Sequence, residues 1–175
     1  MIKTAVVILN WNGEAMLRQF LPSVISGSNE EGTVVYVADN ASTDQSCAVV
    51  EKEFPSVRLI RLDRNYGFAE GYNRALAQVE AEYVVLLNSD VEVMGGWLQD
   101  MVAYMDTHPE VAACQPKILS YRHRNLFEYA GASGGFMDRV LCGPLKIICR
   151  CQWRFHGPLR LSVLSWTSAG DGGRG

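Results

Sequence analysis

Histidine is scarce in this 175-residue chain, with three copies, and the five cysteines are odd in number. Their spacing is irregular, which does not fit a secreted disulfide framework. Basic residues are not in excess: 16 Lys and Arg stand against 19 Asp and Glu, a net charge of -3. That balance gives no electrostatic footprint for a nucleic-acid partner. No apolar run approaches the ~20 residues needed to span a bilayer. The segment Met1-Ile2-Lys3-Thr4-Ala5-Val6-Val7-Ile8-Leu9 enters a strand-like run directly. It lacks the longer apolar core and small-residue cleavage site of a signal peptide, so the cytoplasm is the expected compartment. A Rossmann G-x-G-x-x-G and a P-loop with Gly-Lys-Ser/Thr are both missing, which weakens the common dinucleotide and ATPase readings. Internal repeats and low-complexity tracts are absent as well.

What is present is the composition of a soluble globular domain, 48% apolar and 20% charged. The overall charge hides a split. Residues 1–139 hold 11 Lys/Arg against 18 Asp/Glu, a net of -7. Residues 140–175 hold 5 Lys/Arg against Asp171 alone, a net of +4, and three of the five cysteines (Cys142, Cys149, Cys151). The change predicts a domain over 1–139 and a divergent basic, Cys-rich tail over 140–175.

Up to about residue 120 the pattern alternates between strand and helix. Thr4–Leu9, Thr33–Ala38, Val57–Leu62 and Tyr83–Leu87 read as strands. Helical spacing runs over Glu14–Ile25, Thr43–Phe54, Phe68–Val79 and a segment carrying Trp97, Leu98, Met101, Val102 and Met105. Val111–Leu119 reads as a further strand. Val57–Leu62 alternates apolar and basic residues and so belongs nearer a sheet edge. This alternation implies βαβ units and a mainly parallel, Rossmann-like α/β sheet flanked by helices.

Two apolar runs end on acids. Val34-Val35-Tyr36-Val37-Ala38 leads into Asp39-Asn40-Ala41-Ser42-Thr43-Asp44, and Tyr83–Leu87 leads into Asn88-Ser89-Asp90-Val91-Glu92. Ligands of open parallel sheets bind beyond the carboxyl ends of the strands, so Asp39 and Asp90 are expected to face one cleft. Asp44 reads as a helix cap. Asp90 is the best ligand for Mg²⁺ or Mn²⁺, which needs one or two carboxylates plus substrate phosphates. Asn88 offers a weaker oxygen, and Glu92 is expected to point away. In Asn65-Tyr66-Gly67-Phe68-Ala69-Glu70-Gly71-Tyr72-Asn73, the glycines allow close backbone approach and the helix start offers N–H groups to an anion.

Four segments then occur in order: Val6-Val7-Ile8-Leu9-Asn10-Trp11-Asn12-Gly13, the Asp39–Asp44 stretch, Asn65–Asn73, and Leu86-Leu87-Asn88-Ser89-Asp90. Together they resemble family 2 glycosyltransferases of the GT-A fold, particularly the rhamnosyltransferase-like branch, over about residues 3–139. The resemblance implies inverting transfer of a sugar from a nucleotide-diphosphate donor to a saccharide or lipid-linked saccharide acceptor. It implies nucleotide contacts from Asn10, Trp11, Asp39, Asn65, Gly67, Phe68, Asn73 and Asn88, and a metal on Asp90. Asn88-Ser89-Asp90 stands where the family has D-x-D, with Asn in the first place, as is common in this branch.

After Gly134-Gly135-Phe136-Met137-Asp138-Arg139 the likeness ends. Asp138 and Asp171 lack the context of the family's general base, so no catalytic base is assigned. Cys142, Cys149, Cys151 and His156 lack paired zinc-finger spacing. Leu141 to Ile148 with Trp153 and Phe155 could form an apolar, basic membrane or partner segment, and the breaks at Gly143-Pro144 and Gly157-Pro158 oppose a continuous amphipathic helix. The tail reads best as something other than a continuation of the fold, such as a shifted reading frame or a truncation. It is expected to add little to the fold, to leave apolar surface open to self-association, and to place the chain, at most, peripherally at the inner face of the membrane. Two alternatives remain: a non-catalytic or truncated nucleotide-sugar-binding module, and a nucleotidyltransferase. The second needs a basic glycine-rich loop, and Asn10-Trp11-Asn12-Gly13-Glu14 has no Lys or Arg.

Overall fold

The computed structural model describes residues 1–109, 111–116, 118–123, 126–129, 146–151 and 162–165. Its elements follow in the order β1 (Ile2–Asn10), α1 (Glu14–Gly27), β2 (Thr33–Asp39), α2 (Ser46–Glu53), β3 (Arg58–Arg61), α3 (Gly67–Leu76), β4 (Ala81–Asn88) and α4 (Gln99–Thr107). Short strands complete the set: β5 (Val111–Gln115), β6 (Ile118–Leu119), β7 (Phe127–Tyr129), β8 (Lys146–Cys151) and β9 (Ser162–Ser165).

The main sheet has the order β3-β2-β1-β4-β8-β5-β9. Every neighbouring pair is parallel except β5 with β9. This is the mainly parallel α/β sheet read from the sequence. β3 lies at the edge, as its alternating basic residues require. Two stretches of the basic segment after Arg139 pair into the sheet, β8 between β4 and β5 and β9 beyond β5. Asp138, Cys142, His156 and Asp171, and the side chains of Cys149 and Cys151, lie outside the described residues. The expected strand over Val111–Leu119 is two strands. Pro116 falls in the interruption, where a residue without an N–H cannot continue a ladder.

The uninterrupted apolar runs of β1 and β4 are explained by burial on both faces. Val6, Ile8, Val85 and Leu87 pack with Leu17, Leu21 and Val24 of α1, Val50 of α2, and Met101 and Met105 of α4. Their chain neighbours Ala5, Val7, Val84 and Leu86 turn to the other face, against Tyr72, Ala75 and Leu76 of α3. Successive strand residues point to opposite sides, so a strand covered twice must be apolar at every position. Trp97 and Leu98 precede α4 rather than lying within it, yet both are buried. The Trp97 indole N–H donates to Ser28 Oγ at 3.2 Å, joining this segment to the end of α1. Gly27 makes room for the crossing, since a Cβ there would sit 2.9 Å from Val93 Cγ2.

Met101 is fully buried between α4 and the sheet, whereas Met94 is 42% exposed. Met101→Ala should therefore lower the unfolding free energy by about 2–5 kcal/mol in urea titration, through lost burial and the cavity left behind. Met94→Ala should change it by no more than about 0.5 kcal/mol.

Candidate functional site

The chain leaves β1 toward β2 and β3, then returns to place β4 on the other side of β1. The connections thus diverge between β1 and β4, which opens a crevice at their carboxyl ends. Three candidate residues end their strands at one level. Asn10 is in register with Asp39, and the neighbouring Leu9 with Asn88.

Asp39 is 3% exposed and is held by neutral donors. Asn10 Nδ2 donates to Oδ1 at 3.1 Å, and the Ser42 backbone N–H donates to Oδ2 at 2.9 Å. The Cys47 thiol at the start of α2 lies near the same carboxylate. Burial and this carboxylate push the thiol up to about 11, so Cys47 stays protonated at neutral pH. A carboxylate has about four lone-pair sites, so these bonds leave capacity for a further donor. Asn10 has no exposed surface, so its side chain acts on the crevice through Asp39. Its Oδ1 is buried without a hydrogen-bond partner.

The loop after β2 is stitched to the loop after β1. Ser42 Oγ accepts the Asn12 N–H at 2.8 Å, and Asn12 Oδ1 accepts the Thr43 N–H at 2.7 Å. Asn12 and Ala41 hold left-handed backbone angles, with φ of 49° and 59°. Asparagine tolerates that region; alanine does so at a cost, and such strain gathers at functional loops. Asp44 bridges two helix starts, accepting the Ser46 N–H at 2.9 Å and the Glu14 N–H at 3.0 Å. This agrees with its reading as a cap. Burial alone would raise the Asp44 carboxyl, but these hydrogen bonds outweigh it and hold it below the ordinary carboxylate value.

The glycine loop before α3 corrects one expectation. Two N–H groups at that helix start are not free for an anion. The Tyr66 N–H donates to Asn40 Oδ1 and the Gly67 N–H to Asn65 Oδ1. Gly67 takes φ of +72°, a conformation that suits glycine. Phe68 is 46% exposed at the start of α3, edge-on to the ring of Tyr72. Trp11, 58% exposed, follows the end of β1. The exposed Asn65 and half-buried Asn73 lie at opposite ends of this loop-and-helix start.

Asn88, Ser89 and Asp90 are half-buried at the end of β4, and Glu92 is half-buried beyond them. Buried Tyr72 donates its hydroxyl to the Leu87 carbonyl at 2.9 Å, so α3 is tied to the strand that carries Asp90. Carboxylate and amide oxygens are hard donors that suit Mg²⁺ or Mn²⁺. Among the described residues no three His, Cys, Asp or Glu side chains converge on one point. Asp90 with Asn88 therefore fits a cation whose shell is completed by substrate phosphates, rather than a cage made by protein alone. A separate depression of about 280 Å³ lies at the opposite ends of the strands, lined by Lys3, Thr33 and Asp106 among others. Lys3 and Asp106 are ion-paired there at 2.7 Å, and that end lies away from the crevice.

Asn40, Ser42 and Asn12 were given no role of their own from the sequence, although they lie in the segments that carry the resemblance and they organise the crevice. No helix among the described residues is long and apolar enough to cross a membrane.

Comparison with known proteins gives concordant likenesses. Residues 5–155 match the family model described as Glycosyl transferase family 2. The chain is 30% identical over 112 residues to the poly(ribitol-phosphate) beta-N-acetylglucosaminyltransferase TarS of Staphylococcus aureus, covering 62% of this chain and 20% of that protein. It is 27% identical over 124 residues to the N-acetylglucosaminyl-diphospho-decaprenol L-rhamnosyltransferase of Mycobacterium tuberculosis, covering 65% of this chain and 40% of that one. Among solved structures, S. aureus TarS 1-349 in complex with UDP-GlcNAc superposes with a TM-score of 0.59 at 28% identity, over 66% of this chain and 34% of that one. The mannosyltransferase PcManGT of Pyrobaculum calidifontis, in complex with GDP-Man and Mn2+, gives 0.61 at 21% identity over 69% and 36%, a likeness of fold. The chain thus spans between a fifth and two-fifths of the length of these curated relatives.

Gly13 generates a sharp expectation. A Cβ there would lie 2.2 Å from Asn10 Oδ1, whereas at Gly95 it would meet nothing within 4 Å. Gly13→Ala should cost about 1–3 kcal/mol in urea unfolding, because the Asn10 amide must leave Asp39 or the loop must shift. Gly95→Ala should stay within about 0.5 kcal/mol. A second expectation follows from Asp44. Its carboxyl lies lower in the folded chain than its ordinary value of 3.8, so its contribution is present above about pH 4 and is lost as pH falls through the folded value. In acid titrations of stability, Asp44→Asn should flatten that part of the curve.

Proposed function

Since this chain belongs to glycosyl transferase family 2, we propose that its strand-end crevice binds a nucleotide-diphosphate sugar and passes the sugar to an acceptor hydroxyl with inversion at the anomeric carbon. The fold is the GT-A fold of the solved relatives. The observation that carries the proposal is the placement of Asp39 and Asn88-Ser89-Asp90 at one level on either side of β1, where the sheet connections diverge.

In this reading Asp39 receives a donor group of the base or ribose, and its orientation is set by Asn10 and Ser42. The exposed rings of Trp11 and Phe68 offer faces against which a nucleoside can stack. Asp90, with Asn88 beside it, holds Mg²⁺ or Mn²⁺ together with the diphosphate. A divalent cation so bound neutralises charge that develops on the departing nucleoside diphosphate. Asn73 lies nearly two turns further along α3 from the loop and is assigned to the same nucleotide surface.

The finer identity rests on the relatives. UDP-GlcNAc is the ligand of the solved TarS complex, and rhamnose is the sugar named for the mycobacterial protein. A UDP-sugar is the first donor class to test and a rhamnosyl donor the second. The acceptor class proposed is a saccharide or lipid-linked saccharide, met at the cytoplasmic face of a membrane. The boundary near Arg139 and self-association through apolar surface are proposed on the same footing; the expectation that the tail adds little to the fold is set aside, because β8 and β9 pair into the sheet. Proteolysis that trims the chain back to about Arg139 while leaving the core intact would support that boundary, and protection of 146–151 and 162–165 would join them to the same domain.

Isothermal calorimetry with UDP-GlcNAc, UDP and GDP, each with and without Mn²⁺, tests the donor site. Asp90→Ala should weaken nucleotide binding in Mn²⁺ by about tenfold or more, equivalent to about 1.4 kcal/mol, and leave metal-free binding nearly unchanged. Equal loss in both conditions would assign Asp90 to structure instead. Asp39→Ala should reduce affinity for the nucleoside monophosphate as well as the diphosphate. A lower melting temperature with unaltered affinity would confine Asp39 to holding the loop. Sugar-nucleotide hydrolysis without an acceptor would show donor activation by this chain. Tight binding with neither hydrolysis nor transfer would mark a nucleotide-sugar-binding module.

A further inference from the structure

We propose that Asn40 is a positioning residue: its side chain locks the loop before α3 onto the end of β2, and nucleotide affinity depends on that lock. The inference rests on the donor-site reading above and deepens it. Asn40 is 2% exposed and follows Asp39 directly. Its backbone N–H donates to the Asn10 carbonyl at 2.8 Å, which fixes its own position against β1. Its side-chain amide is spent on one short loop. Nδ2 donates to Asn65 Oδ1 and to the Gly67 carbonyl, both at 3.0 Å, and Oδ1 accepts the Tyr66 N–H at 2.9 Å. Three consecutive residues, Asn65 to Gly67, are therefore held by one buried side chain that directly follows β2.

Close packing enforces the arrangement. A Cβ on Gly71 would lie 3.1 Å from Asn40 Nδ2 and 3.1 Å from Leu9 Cδ2, so α3 approaches this amide as closely as a glycine allows. Asn65 Oδ1 is also taken by the Gly67 N–H at 2.8 Å. With that oxygen receiving two donors, the outward chemistry of Asn65 is its N–H pair. The lock thus sets what the loop offers a ligand: a donor suited to a ribose oxygen or a base carbonyl.

Asn40→Asp tests this with little change of size. It keeps one acceptor, removes both donors, and sets an oxygen against the oxygens of Asn65 and Gly67. Amide exchange followed by NMR without ligand should show Tyr66 and Gly67 exchanging roughly tenfold faster or more, with the amides of β1 and β4 unaltered. If the locked loop falls to about a tenth of the population, the calorimetric Kd for UDP with Mn²⁺ should rise about tenfold. Unaltered exchange at Tyr66 and Gly67 overturns the lock. Faster exchange with wild-type UDP affinity overturns its link to binding. Should the wild-type chain bind neither UDP nor GDP, the donor-site reading fails and the affinity link with it, while the exchange data still decide the lock. If Asn40→Asp does not fold, the wild type supplies the test. The side-chain amide protons of Asn40 should exchange roughly tenfold slower than those of Asn65, and equal rates overturn the proposal.

Discussion

The carboxylate of Asp39 sits at the end of a buried strand with almost no contact with water, and the two donors that bond it are neutral. Removing a carboxylate from water is costly unless hydrogen bonds replace the lost solvent. Asn10 and Ser42 supply them, from the end of β1 and from the loop after β2. This requirement ties those two segments into one unit. Asn12 and Ser42 reinforce it, and Asn40 extends it to the loop before α3. The crevice therefore has a rigid floor, built from short polar side chains whose partners are fixed by the sheet register.

The core was legible in the sequence because burial leaves a periodic trace. β1 and β4 are covered on both faces, so each reads as an unbroken apolar run, and β3 shows its edge position through Arg58 and Arg61. The strand-end acids were visible for the same reason, since the apolar run marks where the strand stops. Hydrogen-bond pairing leaves no such trace. Nothing in the chain announces that Asn40 will find Asn65, Tyr66 and Gly67, or that Asn10 will be wholly buried beneath Asp39. That the Tyr66 and Gly67 N–H groups at the start of α3 are taken could not be foreseen for this reason: periodicity locates a helix start but does not show which side chain satisfies it. Pro116 could have signalled the break between β5 and β6. Placing Trp97 and Leu98 before α4 required the tertiary bond to Ser28, because buried residues outside a helix can mimic its spacing.

Family membership and local geometry support different parts of the functional account. The family model spans most of the chain and sets the reaction class. The residues at the strand ends suggest how a nucleotide would be held. The chain covers only part of its relatives' length. A sheet with a core layer on each face is the portion that the described residues account for physically.

Among the described helices, α3 is the one that covers the second face of the sheet, and the same helix begins at the glycine loop. The wall of the crevice and an entire core layer are thus one continuous piece of chain. A change of loop length there would strain the bonds from Asn40 and, through α3, the packing of Tyr72, Ala75 and Leu76 on the sheet. A lineage built on this scaffold varies this wall most cheaply by exchanging side chains such as Asn65 at a fixed backbone, and novelty in loop length costs least elsewhere.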